Sequence, residues 1–250
     1  MKLSDYVIQF LKAQQIRHLF IFNGGAITHL VDSLYQQEAF GIKAVVVHHE
    51  QAGAFAAEGY SRVTGNFGVT MATSGPGATN LITGIGSAFF DSIPCLYITG
   101  QVNTYEYKFD DPVRQVGFQE TNIVEIVKPI TKEAVLITDP RKIRYYLEKA
   151  VYIAKSGRPG PVLIDIPMDL QCAEIDPDNL ESFIPSNVDE QTNQARLIKA
   201  IDSIIPKIKQ AKRPVILIGG GVRLAKATSE LIELIDRTGI PVVSSLMGSD

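Results

Sequence analysis

One stretch, residues 45–60, constrains the fold of this chain more than any other. It opens with the β-branched run Val45 to Val47, passes through two histidines to Glu50, and continues as an alanine- and glycine-rich segment with helical spacing up to Tyr60. This order predicts a buried parallel strand whose carboxyl end delivers Glu50 to the start of a helix. Ligands bind at that edge in open α/β sheets, so Glu50 is the first candidate for a functional carboxyl group.

The same order of apolar run, turn and helix recurs along the chain. Further apolar runs predict strands at 18–22, 68–73, 93–99 and 162–167. Strands that alternate with helices are typical of an α/β fold. We therefore expect a doubly wound, mostly parallel sheet of six strands with helices on both of its faces.

A polar and aperiodic stretch, residues 172–194, divides the chain. It is rich in Asp, Glu, Asn, Pro and Ser, and we interpret it as an interdomain linker. The first domain would then span residues 1–171. Residues 195–250 would form the first part of a second, Rossmann-like domain, incomplete because they are too few to make a full sheet.

Two glycine turns follow predicted strands, at residues 23–26 and 74–77. Turns of this kind let the backbone approach a ligand closely, although a plain βα turn uses glycine as well. The second turn lacks the Gly-Lys-Ser/Thr ending of a Walker A loop and does not match the dinucleotide fingerprint. A polar loop at 103–117 adds a third candidate, because long loops in compact domains are usually functional or mobile.

Composition excludes several classes of protein. The net charge of −3 leaves no basic excess for binding nucleic acid, and no apolar run approaches the roughly 20 residues of a membrane helix. The two cysteines, Cys95 and Cys172, form no metal-ligand or disulfide pattern, and we expect both to be reduced and buried or nearly so. The sequence predicts a cytoplasmic protein without a membrane or nucleic-acid partner.

Taken in order, the motifs resemble the acetolactate synthase-like family of thiamine diphosphate-dependent enzymes over essentially the whole chain. The motifs that carry the resemblance are Phe22-Asn23-Gly24-Gly25-Ala26, His49-Glu50-Gln51-Ala52-Gly53, Ser74-Gly75-Pro76-Gly77-Ala78-Thr79-Asn80, Asp91-Ser92-Ile93-Pro94, Ile98-Thr99-Gly100-Gln101, Phe118-Gln119-Glu120, Gly157-Arg158-Pro159-Gly160-Pro161-Val162 and Gly219-Gly220-Gly221. The resemblance implies that residues 1–171 form the pyrimidine-binding domain and that the rest begins the central domain.

The resemblance also implies roles for individual residues. Glu50 would be a catalytic residue that shares a proton with N1′ of the cofactor's aminopyrimidine, and Gln119 would be a catalytic residue near the thiazolium. The implied thiamine diphosphate-binding residues are Glu50, Gly25, Ala26, Thr73, Pro76, Asn80 and Gln119. In the FAD-containing members, the segments that line the flavin correspond here to Ser92, Arg158, Gly220, Gly221, Leu246 and Met247, so FAD is a further cofactor to consider.

The family motif that holds Mg²⁺ and the diphosphate is missing from these 250 residues. We expect no metal ligand in this segment, and the Mg²⁺ ligands would lie beyond Asp250 or on another chain. It follows that the 250-residue chain alone is expected to be inactive.

The implied activity is decarboxylation and carboligation of 2-keto acids, with pyruvate as donor, as in branched-chain amino acid biosynthesis. The implied assembly is a homodimer or tetramer with the cofactor at the subunit interface. Two alternatives stay open: a related enzyme with another acyl donor or acceptor, such as one in surface-polysaccharide sugar biosynthesis, and a non-catalytic binding module. The family's synthases usually have Pro at the position of Asn23 and Ala at that of Gly117, and residues 111–116 differ too, which bears on the acceptor more than on thiamine chemistry.

Several residues also have plainer interpretations. Asn80 could simply satisfy backbone groups, and Arg158 could be a surface turn residue. Glu58 is expected on a solvated helix face. Lys132 matches a family lysine near the substrate channel but is more often a solvated charge. The histidines at 48 and 49 lack ligand spacing and are expected to be structural.

Overall fold

A computed structural model describes residues 1–36, 41–185 and 188–249. The chain divides into two compact units, Met1–Pro185 and Ser186–Asp250, and each is described by itself.

The first unit is built on a six-stranded sheet in which every pairing is parallel. Its strands are β1 (His18–Ile21), β2 (Lys43–Val46), β3 (Gly68–Ala72), β4 (Cys95–Gln101), β5 (Glu133–Leu136) and β6 (Val162–Pro167). They lie in the order β2-β1-β3-β4-β6-β5. This order reverses direction between β1 and β3, so the loops after these two strands diverge to opposite faces and leave a crevice at the carboxyl edge.

Helices connect the strands. In the first unit they are α1 (Leu3–Ala13), α2 (Thr28–Gln36), α3 (Glu50–Thr64), α4 (Pro76–Asn80), α5 (Ile82–Phe90), α6 (Ile123–Val127), α7 (Ile143–Lys155) and α8 (Met168–Gln171). The predicted α/β class is confirmed, and the sheet is wholly rather than mostly parallel.

Alternate residues of the central strands bury their side chains on opposite faces of the sheet. On β4, Leu96 and Ile98 join one apolar cluster with α1, α2 and α7, whereas Cys95 and Tyr97 join a second cluster with α5 and α6. Because successive side chains of a strand point to opposite faces, the two clusters are the two faces of one sheet. The sheet is therefore covered on both sides, as the sequence predicts.

The prediction of a buried strand before Glu50 was wrong in one respect. Strand β2 lies at the edge of the sheet and pairs only with β1, and its Val46 is 63% exposed. A short β-branched run looks the same in sequence at the edge and in the middle of a parallel sheet, because strand order is set by packing over long distances. The expected step from strand to helix is nevertheless present, since α3 begins at Glu50.

The boundary between the two units lies inside the predicted linker. Before it, Ile175 and Leu180 are buried in the core of the first unit, and Glu174 forms a β-bridge with Lys2. After it, a helix begins at Val188, and residues 186 and 187 lie outside the described residues. The part of this stretch before residue 185 thus packs as part of the first unit, while the division into functional domains stays a prediction.

The second unit begins with the long helix α9 (Val188–Gln210). A two-stranded parallel sheet follows, made of β7 (Ile216–Ile218) and β8 (Val242–Ser244), with α10 (Gly221–Leu224) and α11 (Thr228–Thr238) between them. This is the strand–helix–strand order that the sequence predicts for the start of a Rossmann-like domain. Across the described ranges of both units, no helix combines the length and the apolar character needed to cross a membrane.

The two cysteines differ in environment. Cys95 is buried in β4, and burial raises the pKa of its thiol to about 12. Cys172 is exposed, so the expectation that both are buried was wrong for this residue. It follows the last residue of α8, where the chain leaves the sheet, and the apolar periodicity that predicts burial has ended there.

Candidate active site

Glu50 is the first residue of α3 and lies almost wholly inside the protein, with 6% of its surface exposed. His49 caps the helix, because its Nδ1 accepts a hydrogen bond from the backbone N–H of Gln51 at 3.2 Å. The amide of Asn80 donates to Glu50 Oε2 at 2.9 Å. Within the described residues this is the one hydrogen bond to the carboxylate, which leaves Oε1 available to a ligand.

The turn between β3 and α4 packs directly against this carboxylate. A Cβ added at Gly77 would lie 3.2 Å from Glu50 Oε1 and 2.7 Å from Cγ2 of Thr73. Gly75 has a positive φ of 63°, which favours glycine, and Pro76 occupies the first turn of α4. The turn therefore packs closely on Glu50 Oε1, and a side chain at residue 77 would collide with Thr73.

The glycine loop after β1 reaches the same edge of the sheet. The N–H of Ala26 donates to Thr73 Oγ1 at 3.0 Å, and a Cβ on Gly24 would lie only 2.4 Å from the Thr73 side chain. The carbonyl of Ala26 passes over β4, where a Cβ on Gly100 would meet it at 1.9 Å. Gln171 holds this carbonyl from below, donating from Nε2 at 2.7 Å. The loop after β1, the turn after β3 and the end of β4 thus meet at the same edge of the sheet.

A cavity of about 320 Å³ opens along the glycine loop. Its lining comprises Asn23 and Gly24 from the loop and Thr28 and Val31 from α2. Asn23 is one of the positions at which the sequence departs from the synthases that it resembles, so the departure lies on an open surface beside the site.

Gln119 reaches the same edge from the other side. It has a positive φ of 57°, and a Cβ on Gly75 would lie 2.7 Å from its own Cβ. Gln119 therefore packs on the turn that also borders Glu50. The two residues predicted as catalytic lie on either side of one glycine turn.

The long polar loop before Gln119 is held in place by Glu120. Its carboxylate accepts hydrogen bonds from three backbone N–H groups, those of Lys108 (2.9 Å), Val116 (2.7 Å) and Gly117 (3.3 Å). One buried side chain therefore ties the interior of the loop, at Lys108, to its carboxyl end. The loop has a defined shape beside the site, as expected of a functional loop.

Sequence reasoning missed a buried polar network beneath these loops. Asp165 on β6 is 1% exposed and accepts from Thr99 Oγ1 at 2.7 Å and from Gln101 Nε2 at 2.8 Å. Burial raises the pKa of Asp165 to about 7, although both hydrogen bonds act to lower it. Two signals could have found the network: a charged residue inside the apolar run 162–167, and a glutamine at the carboxyl end of β4.

Glu58 does not lie on a solvated helix face, and that expectation was wrong. It is 6% exposed and forms an ion pair with Arg62 at 2.6 Å, and Arg62 also contacts Asp91 at 2.5 Å. This face of α3 packs against α5, as the contact of Ala54 with Gly84 shows. The small residues of both helices bring them so close that a neighbouring glutamate is covered.

Lys132 is not a solvated charge either. Its Nζ donates to the carbonyls of Ile153 and Ser156, the latter at 2.6 Å, and partial burial lowers the pKa of the ammonium group. These carbonyls lie at the end of α7, where backbone acceptors lack helical partners. Lys132 therefore caps α7 and fixes the turn that follows.

Of the residues implied for FAD, Arg158 and Ser92 lie together. Arg158 Nε donates to Ser92 Oγ at 2.6 Å, and Ser92 is 4% exposed with a positive φ of 59°. Arg158 is itself exposed and lies in the turn before β6, so its interpretation as a surface turn residue stays open. In the second unit, the turn after β7 meets the segment after β8, since a Cβ on Gly220 would lie 3.1 Å from the carbonyl oxygen of Met247. Gly221 begins α10 in the same turn, and Leu246 is 90% exposed.

In the part of the chain that the structure describes, no group of three or more His, Cys, Asp or Glu side chains could hold a metal ion.

Two family models match this chain. The model described as "Thiamine pyrophosphate enzyme, N-terminal TPP binding domain" matches residues 1–126, and that described as "Thiamine pyrophosphate enzyme, central domain" matches residues 201–250. The first of these covers about half of the chain. It includes Glu50, Asn80 and Gln119.

Curated relatives match over nearly the whole chain. "Acetolactate synthase" of Arthrospira platensis is 41% identical over 243 residues, which are 97% of this chain and 41% of the relative. "Acetolactate synthase 2, chloroplastic" of Nicotiana tabacum is 40% identical over 253 residues, 98% of this chain and 35% of the relative. "Probable acetolactate synthase large subunit" of Methanocaldococcus jannaschii is 39% identical over 255 residues, which are 99% of this chain and 41% of the relative. The chain thus spans about two fifths of the length of the relatives that it matches.

Proposed function

The chain belongs to the thiamine pyrophosphate enzymes, and from this premise we propose that it serves thiamine diphosphate-dependent decarboxylation and carboligation of 2-keto acids, with pyruvate as the donor. The observation that carries the proposal is the buried carboxylate of Glu50, which Asn80 orients through Oε2 and whose Oε1 has no hydrogen-bond partner among the described residues.

The residues at this edge fit the aminopyrimidine end of thiamine diphosphate. An aminopyrimidine needs a carboxyl group that can face a ring nitrogen, and Oε1 of the buried Glu50 has no hydrogen-bond partner among the described residues. The residues proposed to hold the cofactor are Glu50, Gly25, Ala26, Thr73, Pro76, Asn80 and Gln119. When bound, thiamine diphosphate supplies the electron sink that makes decarboxylation of a 2-keto acid possible.

Each protein group has a distinct part in this proposal. Glu50 holds or releases a proton at Oε1, and the hydrogen bond from Asn80 to Oε2 keeps the carboxylate from rotating. The glycine loop around Ala26 and the side chain of Gln119 would lie near the reacting carbon of the bound cofactor. Thr73 fixes the distance between that loop and the turn at Pro76 through its bond to the Ala26 N–H.

Other parts of the proposal reach beyond these contacts. Mg²⁺ and the diphosphate would be held by residues outside this segment. FAD is a further proposed cofactor, for which the proposed residues are Ser92 and Arg158 in the first unit and Gly220, Gly221, Leu246 and Met247 in the second. A cytoplasmic location also stays a prediction.

A homodimer or tetramer with the cofactor at the subunit interface is part of the same proposal. Large apolar side chains on α3 and α5 support it, because Phe55, Val63 and Phe90 are 43%, 84% and 73% exposed. A second copy that covers these helices would bury them.

A relative with a different acyl acceptor is the second candidate function. It is supported by the loop 103–117, which Glu120 shapes beside Gln119, and by Asn23 at the rim of the cavity.

A panel of 2-keto acids, with the full-length protein, Mg²⁺ and thiamine diphosphate, distinguishes the two candidate functions. Formation of acetolactate from pyruvate alone supports the first candidate, and release of carbon dioxide without acetolactate supports the second.

FAD binding has a separate test. A flavin absorbance band in the visible spectrum of the purified full-length protein would support FAD binding, and the absence of that band would contradict it.

The role of Glu50 has a direct test. Glu50→Gln in the full-length protein should slow exchange of the thiamine diphosphate C2 proton by at least 100-fold, because the amide cannot share a proton with the ring nitrogen. The measurement is proton–deuterium exchange followed by NMR. Glu58→Gln is the matched control: Glu58 is an equally buried glutamate of the same helix, but it pairs with Arg62 and lies away from the turn. Normal exchange in Glu50→Gln would remove Glu50 from the proposed role.

A further inference from the structure

The side chain of Gln101 joins the sheet to the turn that carries Gln119. Gln101 is 1% exposed, and its Nε2 donates to both Asp165 Oδ2 and the backbone carbonyl of Thr121, each at 2.8 Å. Its Oε1 accepts from the N–H of Val102 at 3.0 Å. Every polar atom of this side chain is therefore used, and the amide has one allowed orientation.

The turn needs such a tie, because its backbone is strained. Gln119 has a φ of 57°, in the left-handed region that residues with a side chain seldom adopt. A strained conformation persists only where its surroundings over-determine it. On one side, Gln119 packs against Gly75, and on the other the bond from Gln101 holds the Thr121 carbonyl two residues later.

Asp165 fixes the orientation of the Gln101 side-chain amide. Thr99 occupies its Oδ1, so Oδ2 faces the Gln101 amide and fixes which end of that amide carries the N–H groups. With Asp165 on one N–H, the other points at Thr121. We infer that Gln101, oriented by Asp165, is a positioning residue that holds Gln119 in place at the edge of the sheet.

Gln171 provides a matched control within the same site. It is 0% exposed, and its Nε2 also donates to a carbonyl of a site loop, that of Ala26 at 2.7 Å, and to Ile166 of the sheet at 2.8 Å. Both glutamines are buried and donate through Nε2 to a loop carbonyl, but they hold different loops. Oε1 of Gln171 has no hydrogen-bond partner among the described residues, whereas Oε1 of Gln101 accepts from Val102. A general loss of stability would affect both loops alike, whereas loss of one tie affects one loop.

Backbone hydrogen–deuterium exchange of the full-length apoprotein tests the tie without any turnover. In Gln101→Met, which keeps the length of the side chain and removes its N–H groups, the amides of residues 117–121 should exchange at least 10-fold faster than in the wild type. In Gln171→Met these amides should exchange at the wild-type rate, and those around Ala26 should exchange faster. Equal acceleration of both loops in either variant, or no change at 117–121 in Gln101→Met, would overturn the inference.

A kinetic arm relates the tie to Gln119, and this arm alone rests on the proposed function. If Gln101 acts through Gln119, adding Gln101→Met to Gln119→Ala should lower kcat/KM by less than about 3-fold beyond Gln119→Ala alone. Adding Gln171→Met should lower it by the full factor that Gln171→Met shows in the wild type. Full multiplication of the Gln101 and Gln119 effects would contradict positioning. If Gln119→Ala alone leaves kcat/KM unchanged, the proposed role of Gln119 fails, while the exchange result still decides the tie.

A second variant keeps the test open if Gln101→Met does not fold. Gln101→Leu also removes both N–H groups, and it places no ionisable group beside Asp165. The same local acceleration at 117–121 is expected, and an unchanged exchange rate there would overturn the inference.

Discussion

Asp165 lies in the middle of β6, where every residue of the strand is buried, and it accepts hydrogen bonds from Thr99 and Gln101. Burial disfavours the charged carboxylate more strongly than these two bonds favour it, so its pKa rises to about 7. A buried carboxyl group of this kind lowers the free energy of unfolding once it is ionised. Asp165 also orients the side-chain amide of Gln101, which reaches the candidate site at Thr121.

Stability should therefore depend on pH through Asp165. Its pKa is higher in the folded than in the unfolded protein, so the folded protein binds more protons between about pH 4 and pH 7, and the free energy of unfolding falls as the pH rises through this range. Asp165→Asn removes the titration. Its stability relative to the wild type should improve by up to about 4 kcal/mol between pH 4 and pH 8.

Urea unfolding of the wild type and of Asp165→Asn at several pH values measures this difference. The comparison cancels the other titrating groups, because both proteins share them. A difference in stability that stays constant from pH 4 to pH 8 would show that Asp165 keeps an ordinary pKa.

Sequence reasoning reached some of these residues and not others, for physical reasons. Glu50 could be predicted because it ends an apolar run and starts a helix, which are local features. Asp165 stands out as a charged residue in an apolar run, but its partners could not be predicted, because Thr99 and Gln101 lie more than 60 positions away on a different strand. The prediction that Glu58 is solvated was wrong for the same reason, because the side chain is covered by the close packing of α3 against α5.

Among the helices, α3 and α5 show how glycine sets the distance between elements. Gly84 of α5 lies against Ala54 of α3 so closely that a Cβ on it would be 2.3 Å from the Ala54 Cβ. Two positions later, a Cβ on Gly86 would find no atom within 4 Å. One helix thus carries a glycine that packing requires and another that it does not.

This pair gives a prediction for the element. Gly84→Ala should lower the free energy of unfolding by about 2–4 kcal/mol, because the added methyl must push the helices apart. Gly86→Ala should raise it by about 0.5–1 kcal/mol, because alanine loses less conformational entropy in a helix. Urea unfolding of both variants beside the wild type checks the prediction, and equal effects of the two substitutions would contradict it.

Helix and strand identities were predictable from local pattern, but the place of β2 in the sheet was not. Its apolar run has the composition of a central strand, yet it pairs only with β1. Which strand ends at an edge depends on which helices cover it, and that is a contact between distant parts of the chain. The order of elements along the chain follows from the sequence more readily than their order in space.

For the whole molecule, the notable feature is where the first unit ends. The chain from Cys172 onward looks like a linker by composition, but it returns to the start of the chain. Ile175 donates its N–H to the carbonyl of Met1 at 2.9 Å, and Ala173 accepts from the N–H of Leu3 at 2.9 Å. The apolar side chains of Ile175 and Leu180 are too few and too widely spaced to show a period.

A pair of truncations tests this boundary. A chain that ends at residue 171 should be less stable than one that ends at residue 185 by about 3–6 kcal/mol, because it loses two buried aliphatic side chains and the hydrogen bonds to the amino-terminal residues. Thermal and urea unfolding of the two truncated chains gives the difference. Equal stabilities would place the end of the first unit at residue 171, as the composition suggests.

The crossing of Ala26 over Gly100 has a consequence for anyone who recombines this protein with its relatives. The carbonyl of one loop occupies the place where a side chain of the neighbouring strand would stand. Donor segments for the two positions must therefore come from the same parent, or from parents that both have glycine at residue 100. Chimeras that respect this pairing should keep their loop geometry even when the surrounding residues differ widely.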